Sequence, residues 1–152
     1  MSIAWIYLDK KSAAVSAIKD YNDMEFIINN TPDDIADVRS KMTTAKTPTV
    51  SDMPKGTPDP HAGEARLAAQ LDELDIIKER YRRALEYMEW FRPAWEELAE
   101  TERIILTEYY MAGNQKSGAT KRLELRLNYG HSQIDNLRSK ALSRLTVLLF
   151  GK

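Results

Sequence analysis

Along this 152-residue chain, apolar side chains recur three and four residues apart, the spacing that gathers them on one helix face and predicts an all-α fold. The longest series places Leu67, Leu71, Leu74, Tyr81, Leu85, Met88 and Trp95 on alternating steps, a coiled-coil seam interrupted by Lys78 and Arg92. Ile77, Ala84, Phe91 and Leu98 form a flanking row, so the apolar face is wide enough to take a third or fourth helix. The N-terminal segment of the same chain or of another copy would supply it. Residues 61–97 are thus expected to be one long amphipathic, coiled-coil-like helix. Pro93 lies inside that pattern, where it deletes a backbone hydrogen bond and disfavours helix at Arg92. A kink or break is expected there, with a hinge to the next domain. Trp90, Phe91 and Trp95 beside it read as packing between domain and arm, given how much area aromatic rings bury.

Upstream, residues 1–45 read as an N-terminal helical segment in two parts. The first runs from about Ala4 to Ile28, with Ile6, Leu8, Val15, Ile18, Tyr21 and Ile27 loosely helical in period. A new helix is expected at Asn30-Thr31-Pro32-Asp33-Asp34, because Thr31 can accept from orphan amides, Pro32 suits a first turn, and the aspartates complement the positive helix end. It should reach about Met42 on a stripe of Ile35, Val38 and Met42. Residues 46–60 hold Pro48, Pro54, Pro58 and Pro60 among polar neighbours and read as a linker.

Residues 98–152 read as three short helices ending in a helix-turn-helix. The first, from about Thr101 to Met111, buries Ile104, Ile105 and Tyr109, and Gly113 supplies a left-handed stop. The second runs from about Lys116 or Ser117 to Leu127, with Leu123 and Leu127 on one face, and Asn128-Tyr129-Gly130 makes the turn. The third, from about His131 to Leu145, buries Ile134, Leu137, Ala141, Leu142 and Leu145 and leaves His131, Ser132, Gln133, Asn136, Ser139, Lys140 and Arg144 on other faces. Asparagine and glutamine pair with adenine edges, and lysine and arginine reach guanine or phosphate. A three-helix packing unit that binds no DNA carries the same apolar code.

Charge sharpens that choice. Net charge is −1, yet residues 64–102 hold eleven acidic against six basic residues, whereas residues 114–152 hold eight basic against two acidic. The basic segment coincides with the helix-turn-helix pattern, which points to double-stranded DNA. Ser132, Gln133, Asn136 and Lys140 are the candidate base contacts. Lys116, Lys121, Arg122, Arg126 and Arg144 are the candidate phosphate contacts.

Other chemistries find little purchase. The chain has no cysteine, and its two histidines, His61 and His131, lie seventy residues apart, so no metal site is expected. No glycine-rich phosphate loop and no nucleophile placed with a base appear, so neither an enzyme, a cofactor nor a small-molecule substrate is expected. The apolar run Ile3 to Leu8 lacks a basic leader and a cleavage site, and no stretch approaches a bilayer-spanning length. A soluble, cytoplasmic protein is the expectation.

The run from Leu98 to Leu145 is similar to the fourth conserved region of bacterial sigma factors, through Leu123, Leu127, Ile134, Lys140-Ala141-Leu142 and Leu145. From about Tyr7 onward the chain resembles phage-encoded transcriptional regulators of the RinA and ArpU type. That architecture sets a helical segment, a linker with Ser51-Asp52-Met53-Pro54-Lys55-Gly56, a charged helix and a sigma-like domain with Leu127-Asn128-Tyr129 in the same order. The resemblance implies a regulator of prophage or mobile-element late genes. Its partners would be DNA, RNA polymerase and, through the helical arm, further copies of itself. Two positions depart from the sigma pattern: Glu124 stands where it has alanine at the helix crossing, and Gly130 where it has a serine cap. A buried carboxylate at Glu124 would need a partner or would force the helices apart.

Overall fold

A computed structural model describes residues 9–44, 61–113 and 118–151, and all regular structure among them is helical. The elements are α1 (Lys10–Thr44), α2 (Ala62–Glu96), α3 (Glu100–Leu106), a single π-helical turn (Thr107–Met111), α4 (Ala119–Leu127) and α5 (His131–Phe150). The proposed linker with its Ser51-to-Gly56 motif, the apolar positions Ile6 and Leu8, and Lys116 all lie outside the described residues. No described helix is long and apolar enough to cross a membrane.

Asp9 opens α1, its carboxylate accepting from the Ser12 amide at 3.1 Å and satisfying one orphan donor. The helix then runs through Pro32 rather than restarting there. Proline at this position denies a donor to the Ile28 carbonyl. The two carbonyls before that one gain side-chain donors as well, Asn30 Nδ2 donating to Phe26 at 2.8 Å and the Thr31 hydroxyl to Ile27 at 2.5 Å. Thr31 is buried while Pro32 is exposed, so packing secures one side of the helix and the ring projects on the other. A Thr-Pro-Asp-Asp start signal is thereby overridden. Likewise α2 passes through Pro93 and stops only at Glu96, where the Leu98 amide donates back to Trp95 at 3.3 Å and tightens the last turn.

The chain divides into two compact units. One comprises residues 25–85, where the second half of α1 and most of α2 contribute to a small core of Val38, Leu74 and Ile77 flanked by Ile35 and Met42. Of the expected seam, Leu74 and Met88 are buried while Leu67, Leu71 and Leu85 stay 46%, 48% and 38% exposed, and the flanking row adds the buried positions Ile77 and Ala84. On the surface, Arg82 and then Arg83 hydrogen-bond Glu79 and hold its carboxyl down at about 2.

The other unit comprises residues 1–24 and 86–152. Its larger core gathers Ala14, Ala17 and Ile18 of α1, Phe91 and Ala94 of the α2 end, Leu98 of the segment after it, Leu106 of α3, and Ala141, Leu142, Leu145 and Leu149 of α5. Phe91 is fully buried between Tyr87 and Trp95, whose rings stack on it at 5.3 and 5.6 Å, and Trp90 meets Phe150 edge-on at 5.5 Å. Tyr87 donates its hydroxyl to the Ala17 carbonyl, and burial, with Asp20 and Tyr21 nearby, pushes its phenol well above the usual range.

Candidate nucleic-acid interface

A second cluster in the same unit, Ile105, Leu123 and Ile134, joins α3, α4 and α5 into the three-helix arrangement. All three side chains are fully buried, and Ile104, Tyr109, Leu127, Tyr129 and Leu137 close around them. Neighbouring residues of α3 serve different clusters, Ile105 this one and Leu106 the larger one. The π turn that follows carries an extra residue per turn and lets Tyr109 face this cluster while Tyr110 and Met111 face the other. Asn22 of α1 donates to the Met111 carbonyl at 3.1 Å, satisfying a group that the turn's end leaves open.

Between α4 and α5 the chain reverses over Asn128, Tyr129 and Gly130. Asn128 takes the left-handed conformation at φ 57°, which asparagine tolerates better than branched residues do. Gly130 caps α5 in extended geometry, φ −76° and ψ 161°, with no side-chain hydrogen bond to the helix end. Its φ is ordinary for any residue. A Cβ there would meet nothing within 4 Å, so the departure from a serine cap removes a bond without answering any need for space. Glu124 is half-buried, while its neighbour Leu123 and the facing Ile134 remain fully buried. The crossing therefore closes with the carboxylate at its margin.

Helix α5 extends five residues beyond the expected Leu145, because Leu149 continues the buried stripe one turn further. All seven side chains expected off its buried face are exposed. Gln133, Asn136 and Lys140 share one face at helical spacing, with Ser132 one turn before Asn136. No hydrogen bond or ion pair among the described residues engages these four. Their amide, hydroxyl and ammonium groups are presented together on the first two and a half turns, where a recognition helix meets base edges.

The basic residues divide differently. Lys121 is exposed on α4. Arg122 is held by Glu108, Nε to Oε2 at 3.1 Å, and Arg126 approaches the same carboxylate at 4.0 Å. Arg144 pairs with Glu102 at 3.3 Å and donates to the Glu97 carbonyl at 3.1 Å. Three of the candidate phosphate contacts are thus already tied to carboxylates of α3 and the π turn, Arg144 also to a backbone carbonyl before α3. These partners lie fourteen to forty-seven residues away, beyond the reach of helical spacing rules. Asp135 is the acidic member of α5, pairing with His131 at 3.2 Å and Arg138 at 3.6 Å. The Arg138 guanidinium also lies 4.3 Å from the centre of the Tyr109 ring, a cation–π contact that anchors α5 to the π turn. The i, i+4 and i, i+3 offsets around Asp135 are visible in the sequence, but Tyr109 is not.

Comparison of the chain with protein-family models, curated proteins and solved structures finds no match.

Proposed function

We propose that the protein is a DNA-binding transcriptional regulator of phage or mobile-element genes that reads the major groove with α5. The observation that carries this reading is the exposed set Ser132, Gln133, Asn136 and Lys140 at the start of a helix preceded by a left-handed turn and a second short helix. Those side chains supply the donors and acceptors that major-groove edges require. Lys121 holds a phosphate directly. Arg144 joins it by exchanging Glu102 for the DNA backbone, whereas Arg122 and Arg126 reach a phosphate only in the fraction of complexes in which Glu108 releases them.

The test is selection of bound duplexes from a random pool at two salt concentrations. Asn136→Ala or Lys140→Ala should lose about 1–3 kcal/mol for the selected site, on the order of 10- to 100-fold in affinity, with helix content unchanged. Lys121→Ala should weaken binding evenly across sequences and reduce the salt slope by about one. Salt-independent binding, or none at all, would overturn the reading.

A second reading is favoured by Leu125, which is 83% exposed on α4. Here the sigma-like unit docks on RNA polymerase and contacts DNA little. In this reading the protein captures polymerase without binding duplexes and Leu125→Asp abolishes the capture, whereas in an α5 reader Leu125→Asp leaves duplex binding intact.

A further inference from the structure

The unit formed by residues 25–85 buries three large apolar side chains and leaves Leu67, Leu71 and Leu85 about half exposed on one row of α2. Two helices cannot enclose a core, and this row continues the apolar stripe past the edge of the pair. An opposite flank offers an open groove of about 590 Å³ floored by Val38, Ile76 and Ile77. Four carboxylates, Asp34, Asp37, Asp72 and Glu73, line it against two cations, Lys41 and Arg80, so apposing two such grooves brings like charges together. The leucine row has no such obstacle.

Its sequence is also self-complementary. Leu67 and Leu85 are equidistant from Ile76, as are Leu71 and Tyr81, and Leu74 and Lys78. In heptad terms each pair couples a first seam position with a second, which is how antiparallel helices form layers. Parallel pairing in register instead stacks Lys78 on Lys78 of the other copy. With the antiparallel register, Lys78 comes level with Leu74, which its own chain already buries beside Val38, and the exposed Asp75 next to it lies within reach of the Lys78 ammonium group. The symmetry repeats that contact on the other side of the axis. Both Asp75 and Lys78 are exposed.

We infer that α2 is the seat of a homodimer in which the rows Leu67–Leu85 of two copies pair antiparallel about a twofold axis at the level of Ile76. Each seam lysine meets an aspartate of the other chain. An interface of this kind is isologous, so it closes at two copies and does not propagate. The pairing specifies how the helical arm proposed for this regulator joins subunits, and it requires no DNA.

The absence of native cysteine makes the register directly readable. Full-length Leu67→Cys and Leu85→Cys proteins, mixed and mildly oxidised, should give a disulfide-linked heterodimer. Leu67→Cys alone should give none, because like positions lie about 27 Å apart along the axis, far beyond disulfide reach. Preferential cross-linking of Leu67→Cys to itself would overturn the antiparallel register. Sedimentation supplies a second readout with exposed residues whose replacement leaves the core intact. Lys78→Glu should weaken association at least tenfold, and adding Asp75→Lys should restore it. A wild-type chain that sediments as a monomer at every concentration, or a charge exchange that fails to restore association, refutes the dimer. Duplex binding measured on the same samples reports separately on the DNA reading.

Discussion

Replacing Glu108 by Gln removes the carboxylate that holds Arg122 at 3.1 Å and Arg126 at 4.0 Å, while preserving the shape of the side chain. The two arginines are 40% and 61% exposed, so each pair stabilises the fold by about 0.2–1 kcal/mol and the variant should remain folded. The effect on DNA is larger and opposite in sign. Each arginine that gains a phosphate releases condensed counterions and steepens the dependence of log affinity on log salt by about 0.9. At roughly 0.1 M salt that corresponds to about 8-fold tighter binding for one contact and about 60-fold for two. Fluorescence anisotropy titrations of a labelled duplex between about 0.05 and 0.3 M salt would give both the affinity and the slope. A steeper slope with tighter binding is the expected result. An unchanged slope with native helix content would refute the assignment of Arg122 and Arg126 to phosphates.

Leu123→Ala opens a cavity in the small three-helix cluster and should cost about 2–5 kcal/mol in urea unfolding, since Leu123 is fully buried there. Gly130→Ser should raise the melting temperature, because it restores a cap hydrogen bond worth a few tenths of a kcal/mol at a position with ordinary φ and open space. Tyr87→Phe should cost about 1 kcal/mol near neutral pH by deleting the hydroxyl's bond to the Ala17 carbonyl, which keeps its helical donor. Burial raises the folded pKa of Tyr87, so its neutral form stabilises the protein below the unfolded value near pH 10, and that contribution is lost as pH rises above it. Stability curves of the wild type and the Phe variant should therefore converge in alkaline solution.

The helices and their buried faces are legible because local spacing encodes them. Ile134, Ala141, Leu142 and Leu145 can be read from α5 alone, and Gly113 marks its turn by the positive φ of 59° that favours glycine. Leu149 follows the same three-and-four rhythm, so the longer α5 is legible too once the terminal apolar run is counted with the stripe. What escapes is anything decided by tertiary partners. Pro32 looks like a helix start until the burial of Thr31 beside it shows packing holding the helix through that point. The candidate phosphate residues look equivalent in sequence, yet Glu108 and Glu102 separate Arg122, Arg126 and Arg144 from Lys121. The positions proposed to face bases, Gln133, Asn136 and Lys140, are legible, since they need only the helix period and exposure.

The larger core places Ala14, Ala17 and Ile18 against Leu142, Leu145 and Leu149, joining early and late parts of the chain. During synthesis the N-terminal partners emerge first and wait while the ribosome adds well over a hundred residues, on the order of ten seconds at bacterial rates. Throughout that interval the Ile18 face of α1 has no α5 to cover it. Closure of the core is thus timed by the arrival of the very helix proposed to read DNA, and a nascent chain interrupted before Leu142 carries an unsatisfied apolar surface for chaperones or proteases to find.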